Sequence, residues 1–239
     1  VSRKSDKKGR GLLKAFILLF ALLVLPFSVS LVVHFPGMFR AYASVTGKMY
    51  WAMGGFGFFI LFFFIFGAPV KSYILEHEIS HVLFALMSGV RIKKISLKRS
   101  NAYVKTERVN IVIALAPYSL PLYTLFLIVV YSISSKAVSH PLFTAAMYFL
   151  FGVTLSFHIV ATIHYLQLDQ PDLTRYGYAG SLVLVFTWSL IVLSIIFFLM
   201  FRKIDLYGFF QASVKDAFDV YRILFSYLSR QLRFLRIRG

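Results

Sequence analysis

Long apolar runs alternate with short polar stretches along the whole chain. The runs cover Leu12 to Phe35, Trp51 to Ala68, Val70 to Gly89, Val109 to Ser132, Pro141 to Leu166 and Ala179 to Phe201. Runs of this length predict helices of the kind that lipid surrounds. Pro69 breaks or kinks the chain between the second run and the third, and Gly89 is placed to stop a helix. Residues 90–108 depart from the pattern. Short alternating pieces, Ile92, Ile95 and Leu97 and then Tyr103 and Val104, flank a polar Ser100-Asn101 turn. They predict a small β-hairpin, with a plain basic loop as the alternative. After Phe201 the chain is too charged to span, but Leu206, Phe210, Val214, Phe218, Tyr221, Phe225, Leu228, Leu232 and Leu235 recur at steps of three and four. That stripe predicts a basic amphipathic helix lying on a membrane surface.

The fold class expected is therefore an all-α polytopic membrane protein with about five to six transmembrane helices, a hairpin-like insert and a C-terminal amphipathic helix. Residues 1–50 form a basic N-terminal segment, a first transmembrane helix and a connector. Residues 51–201 form a transmembrane core, and 202–239 a basic amphipathic tail. Composition agrees: 59% of the 239 residues are hydrophobic and only 15% are charged, against about a quarter charged in a soluble domain. The net charge of +17 raises the question of a nucleic-acid partner. The basic residues, however, fall in blocks flanking apolar runs, which points to positive-inside topology and anionic lipid instead. With no cysteine in the chain, disulfides, thiol catalysis and thiolate metal sites are excluded.

Glu76, Glu78, Asp169 and Asp172 lie in or beside apolar surroundings, where an ionisable group is expensive and marks function. The sharpest signal is His77-Glu78-Ile79-Ser80-His81. On a helix, His77 and His81 are one turn apart and point the same way. Two imidazoles so placed can hold one Zn²⁺, with Glu78 beside the metal as general base for a water. A third protein ligand is then needed. The candidates are His140, His158, His164, Asp169 and Asp172, of which Asp172 follows Pro171 in a polar break between two apolar runs.

HEISH on a membrane helix, the basic hairpin-like segment, Ala116-Pro117 in the next helix and Asp172 after a proline together resemble the site-2-protease family of intramembrane zinc metalloproteases. The resemblance covers about residues 70–180. It implies a zinc metalloendopeptidase that cuts a transmembrane protein substrate, with His77, His81 and Asp172 as zinc ligands and Glu78 as the catalytic residue. The stretch Gln167-Leu168-Asp169-Gln170-Pro171-Asp172-Leu173 departs from the family's Asn-x-x-Pro and Leu-Asp-Gly pattern: it has no Asn, and no Gly follows the Asp. A side-chain amide for the scissile carbonyl would come from Gln167 or Gln170.

The resemblance fits one topology best: residues 51–87 form a single helix kinked at Pro69 and descend to the cytoplasmic side, where the basic loop and Asp172 also lie. The tail after Phe201 then falls outside, against the positive-inside rule, whereas counting 51–68 and 70–88 as separate spans puts the tail inside but the basic loop outside and separates Asp172 from His77 in depth. The first residue, Val1, and the lack of a targeting signal beyond the first helix point to a prokaryotic plasma membrane. Two other readings carry other functions. A metal-ion transporter of the zinc/iron-permease type would need a second His motif, and a catalytically silent membrane adaptor would keep the metal without the chemistry.

Overall fold

The computed structural model describes residues 2–42, 47–98, 101–202 and 204–238. The fold is mostly helical. Helix α1 spans Ser2–His34 and runs into a 3₁₀ turn at Phe35–Tyr42. It is followed by α2 (Gly47–Phe66) and α3 (Val70–Met87). Strands β1 (Ile92–Lys98) and β2 (Asn101–Thr106) pair antiparallel, with Ile95 opposite Val104 and an irregularity between Ile92 and Lys94. Ser100, half of the predicted turn, lies outside the described residues. Then come α4 (Ile111–Leu115), a 3₁₀ turn (Ala116–Tyr118) and α5 (Leu122–Ser134). The chain closes with α6 (Pro141–Leu166), α7 (Pro171–Tyr176), α8 (Tyr178–Met200) and α9 (Leu206–Arg238). Among the described residues, four helices are long and apolar enough to cross a membrane, and a fifth span is added if the broken pair at 111–134 counts as one.

Two parallel helix pairs form the frame. Helices α2 and α6 cross so closely that a methyl group at Gly55 would collide with the Phe149 carbonyl, and one at Gly152 with the Ala52 carbonyl. Small residues at such a crossing let two backbones approach, which is how helices gain packing where no hydrophobic effect drives them together. Further along the same pair, Phe59 meets Phe157 and Phe63 meets His164. Helices α1 and α8 also run parallel. A methyl at Gly180 would press on Ile17 at 3.1 Å, Ser28 and Thr187 share a 2.5 Å hydrogen bond, and Phe35 packs on Phe197. Helix α5 runs antiparallel to α6, with Tyr123 on Phe157 and Tyr131 on Tyr148. The end of α8 is tied to the start of α6 by the Tyr148 hydroxyl, which donates to the Met200 carbonyl at 2.6 Å.

The bundle therefore has two distinct ends. One holds Phe35, Tyr148, Met200 and Phe209, which share a single core. The other gathers the start of α1, the start of α8, the hairpin exit and α7: Ile17, Ala114 and Tyr176 cluster there, and Gly177 lies against Lys14.

One expectation is corrected. Residues 51–87 are not one kinked helix. Gly67, at φ +77°, and Pro69 separate α2 from α3, and α3 steps back from Tyr165 toward His158 on α6 instead of continuing downward. A left-handed glycine followed by a proline turns the chain, where a proline alone would only kink it. The tail helix α9 packs along α1. Its inward stripe is Phe209, Ser213 and Ala217, each no more than 5% exposed, whereas Val214, Phe218, Phe225 and Leu228 of the predicted stripe face outward.

Candidate metal centre

Helix α3 supplies the histidines. It ends where Gly89 adopts φ +64° and Val90 donates back to the Ala85 carbonyl, an αL stop of the usual helical kind. His77 and His81 lie on one face, with ring centroids 4.8 Å apart. Asp172 comes from the first turn of α7, which Pro171 starts. Its Oδ2 lies 3.4 Å from His81 Nε2 and 3.7 Å from His77 Nε2. One donor atom from each of the three residues lies within 4.8 Å of the others.

The chemistry of this donor set fits a cation. His81 Nδ1 donates to the Ile113 carbonyl at 2.8 Å. A carbonyl only accepts, so Nδ1 carries a proton and Nε2 is the ring nitrogen turned toward Asp172. Burial works to raise the Asp172 carboxyl, but the imidazoles of His77 and His81 outweigh it and hold the group well below the usual carboxylate range. The carboxylate thus stays anionic and accepts only. Two imidazole nitrogens and a carboxylate oxygen that converge in this way can share protons or, as ligands, hold one metal ion between them. The spacings suit a metal: bonds of about 2.0–2.1 Å in a tetrahedron give ligand-to-ligand edges of about 3.3 Å.

The surroundings position these groups. Asn110 caps α4 by accepting from Ile113 N at 2.8 Å, which fixes the turn whose carbonyl holds His81. The Tyr118 ring packs edge-on against His77, and its hydroxyl donates to Gln170 Oε1 at 2.9 Å. The Gln170 amide donates to the Tyr165 carbonyl, and Tyr165 stacks on Tyr73, which touches His77. Glu78 is buried, and its Oε2 has no hydrogen-bond partner among the described residues. His77 Nδ1 is likewise buried without a partner.

The other candidate ligands are placed elsewhere. Asp169 is exposed. His140 sits at the opposite end of the bundle, where its ring accepts from Leu142 N. His164 packs on Phe63. His158 donates from Nδ1 to Glu76 Oε2 at 3.2 Å, and Tyr123 N approaches Glu76 Oε1 at 3.4 Å. Glu76 and His158 thus form a buried polar link behind the site that sequence reading missed. No local signal announces a pair separated by 82 positions. Of the two glutamines considered for an amide at the site, Gln170 is engaged with Tyr165 and Tyr118, and Gln167 is exposed. Compared with known proteins, the chain matches no family, no curated protein and no solved structure.

Proposed function

We propose that the chain is an intramembrane zinc metalloendopeptidase in which His77, His81 and Asp172 hold the metal and Glu78 is the general base. One observation carries the reading. The HExxH pair meets a carboxylate from a separate helix, far along the chain, with one ligand-type atom from each residue within 4.8 Å of the others. Zinc held there supplies a Lewis acid for the scissile carbonyl and lowers the pKa of a bound water to about 7. Glu78, buried with a free carboxylate oxygen, takes the proton of the attacking water and passes it to the departing amine nitrogen. The carbon–oxygen bond forms first as the carbonyl π-electrons move to its oxygen, and the carbon–nitrogen bond breaks once the amine nitrogen has received the proton. Tyr118, locked by Gln170, holds the His77 ring in orientation. A helical substrate must unwind before it presents a carbonyl, because its own hydrogen bonds otherwise occupy that group. The site lies at the end of the bundle that carries the basic start of α1 and the basic hairpin, and the positive-inside rule assigns that end to the cytoplasm.

The test is the metal content of the detergent-purified protein. About one zinc per chain is expected, lost in Asp172→Ala, kept in Asp169→Ala and kept in Glu78→Gln. A protein that binds no metal, or zinc that survives Asp172→Ala, overturns the reading. Cleavage of a membrane substrate that continues in Glu78→Gln overturns the assigned base.

A further inference from the structure

Helix α9 carries too many charges to be taken for a membrane span by composition, yet its placement is that of one. It runs antiparallel to α1. Phe209 packs on Phe35 with ring centroids 6.4 Å apart, and twelve residues further along each helix the Tyr221 hydroxyl donates to the Leu23 carbonyl. The inward stripe is built of small residues, Ser213 and Ala217 at 0% and 5% exposure, while bulky Val214, Phe218 and Phe225 face out. This is the arrangement of helices packed within lipid, small side chains between backbones and large apolar ones outside. A helix lying at an interface needs one polar face. Between Arg222 and Arg230 the exposed apolar residues Ile223, Leu224, Phe225, Tyr227 and Leu228 cover a little more than half of the helix circumference, and the uncharged Ser226 and Ser229 occupy the rest.

Three of the five charged residues between Phe209 and Gln231 have a partner, and Lys215 is exposed. His34 Nε2 donates to Asp216 Oδ2 at 2.7 Å, and Asp219 lies 3.6 Å from Arg222. Lengths also match. Phe209 to Arg230 on α9 and Phe35 back to Lys14 on α1 are both twenty-two residues, or about 33 Å of helix, close to the hydrocarbon thickness of a bilayer.

We propose that α9 crosses the membrane beside α1 and returns the chain to the site end, where its terminal arginines join the basic start of α1 in one surface for anionic phospholipid headgroups. The sequence there carries Arg230, Arg233, Arg236 and Arg238 on α9, and Arg3, Lys4, Lys7, Lys8, Arg10 and Lys14 on α1. Brought to one face, these residues obey the positive-inside rule that a surface-lying tail would break. The inference requires the bundle to sit in a membrane and is independent of the hydrolase reading.

The absence of cysteine makes single-cysteine labelling clean. Gly9→Cys and Ala137→Cys mark the two faces in the full chain, tested in sealed right-side-out and inverted vesicles with a membrane-impermeant maleimide. Gln231→Cys is expected to label from the Gly9 face and Gln211→Cys from the Ala137 face. Labelling of both tail positions from the Ala137 face overturns the crossing. For the lipid surface, the purified chain is titrated with phosphatidylglycerol and with phosphatidylcholine. The thermal midpoint is expected to rise more with phosphatidylglycerol, and the variant R230Q/R233Q/R236Q/R238Q, which removes four of the ten basic residues named, is expected to lose about two fifths of that difference. A variant that keeps the full difference overturns the lipid assignment.

Discussion

The two ends of the bundle are built by different physics. At the far end, Phe35, Phe39, Phe197 and Phe209 pack ring against ring, and Tyr148 closes on Met200. Long helices meet there through apolar contact, and the main polar strut is one hydroxyl to one carbonyl. At the site end the helices are short and broken. Helix α4 has five residues, α7 has six, and the segment 111–118 is bent by 76° from α5. Each break frees backbone groups, and those groups find side chains: Asn110 with Ile113, Ile113 with His81, Tyr176 with Val109, Gln170 with Tyr165. Apolar packing tolerates shape-conserving change, whereas a buried polar chain fails when one partner is lost. The far end is a scaffold, and the site end is a set of interlocked polar commitments.

The largest test of this contrast is on metal binding. Asp172→Ala is expected to weaken zinc affinity more than about 100-fold, beyond the 10–100-fold that loss of an outer partner produces, as read by competition with a chelator. Next is the buried link behind the site. His158→Ala leaves the Glu76 carboxylate, 2% exposed, without its imidazole. It is expected to cost about 3–5 kcal/mol in unfolding measurements, while His158→Gln, which can still donate, restores much of it. At the α2–α6 crossing, Gly152→Ala forces a methyl into the Ala52 backbone and is expected to cost about 1–3 kcal/mol without changing zinc affinity in the protein that folds. Asn110→Ala removes a cap worth about 1 kcal/mol and loosens the carbonyl that orients His81, so a drop of about 10-fold in zinc affinity should accompany it. Tyr148→Phe, at the far end, is expected to cost about 1 kcal/mol and leave zinc affinity unchanged. If Tyr148→Phe moves zinc affinity as far as Asn110→Ala does, the two ends are not separate.

Much of the scaffold was legible because its determinants are local. Apolar runs of helical length, Gly89 as a stop and the one-turn spacing of His77 and His81 depend on neighbours in sequence, and the structure places them where that reading puts them. The reading erred where two signals acted together. Gly67 and Pro69 turn the chain, where Pro69 alone suggested a kink. In the tail, the apolar periodicity marks an outward face of Val214, Phe218, Phe225 and Leu228, and the small residues that α9 turns inward carry no such signal.

By itself, then, the sequence determined that the chain is a set of apolar helices, that His77, Glu78 and His81 share one helix, and that no thiol takes part. Only the tertiary structure decided which carboxylate completes the cluster, since Asp169 and Asp172 are three residues apart and equally polar on paper. It also decided that Glu76 binds His158, that the Ile113 carbonyl sets the His81 tautomer, and that α9 lies against α1. Periodicity and capping are short-range and written into neighbouring residues. The choice among distant polar partners depends on where breaks such as Gly67, Pro117 and Pro171 aim the chain, and the packing of the other helices settles those directions.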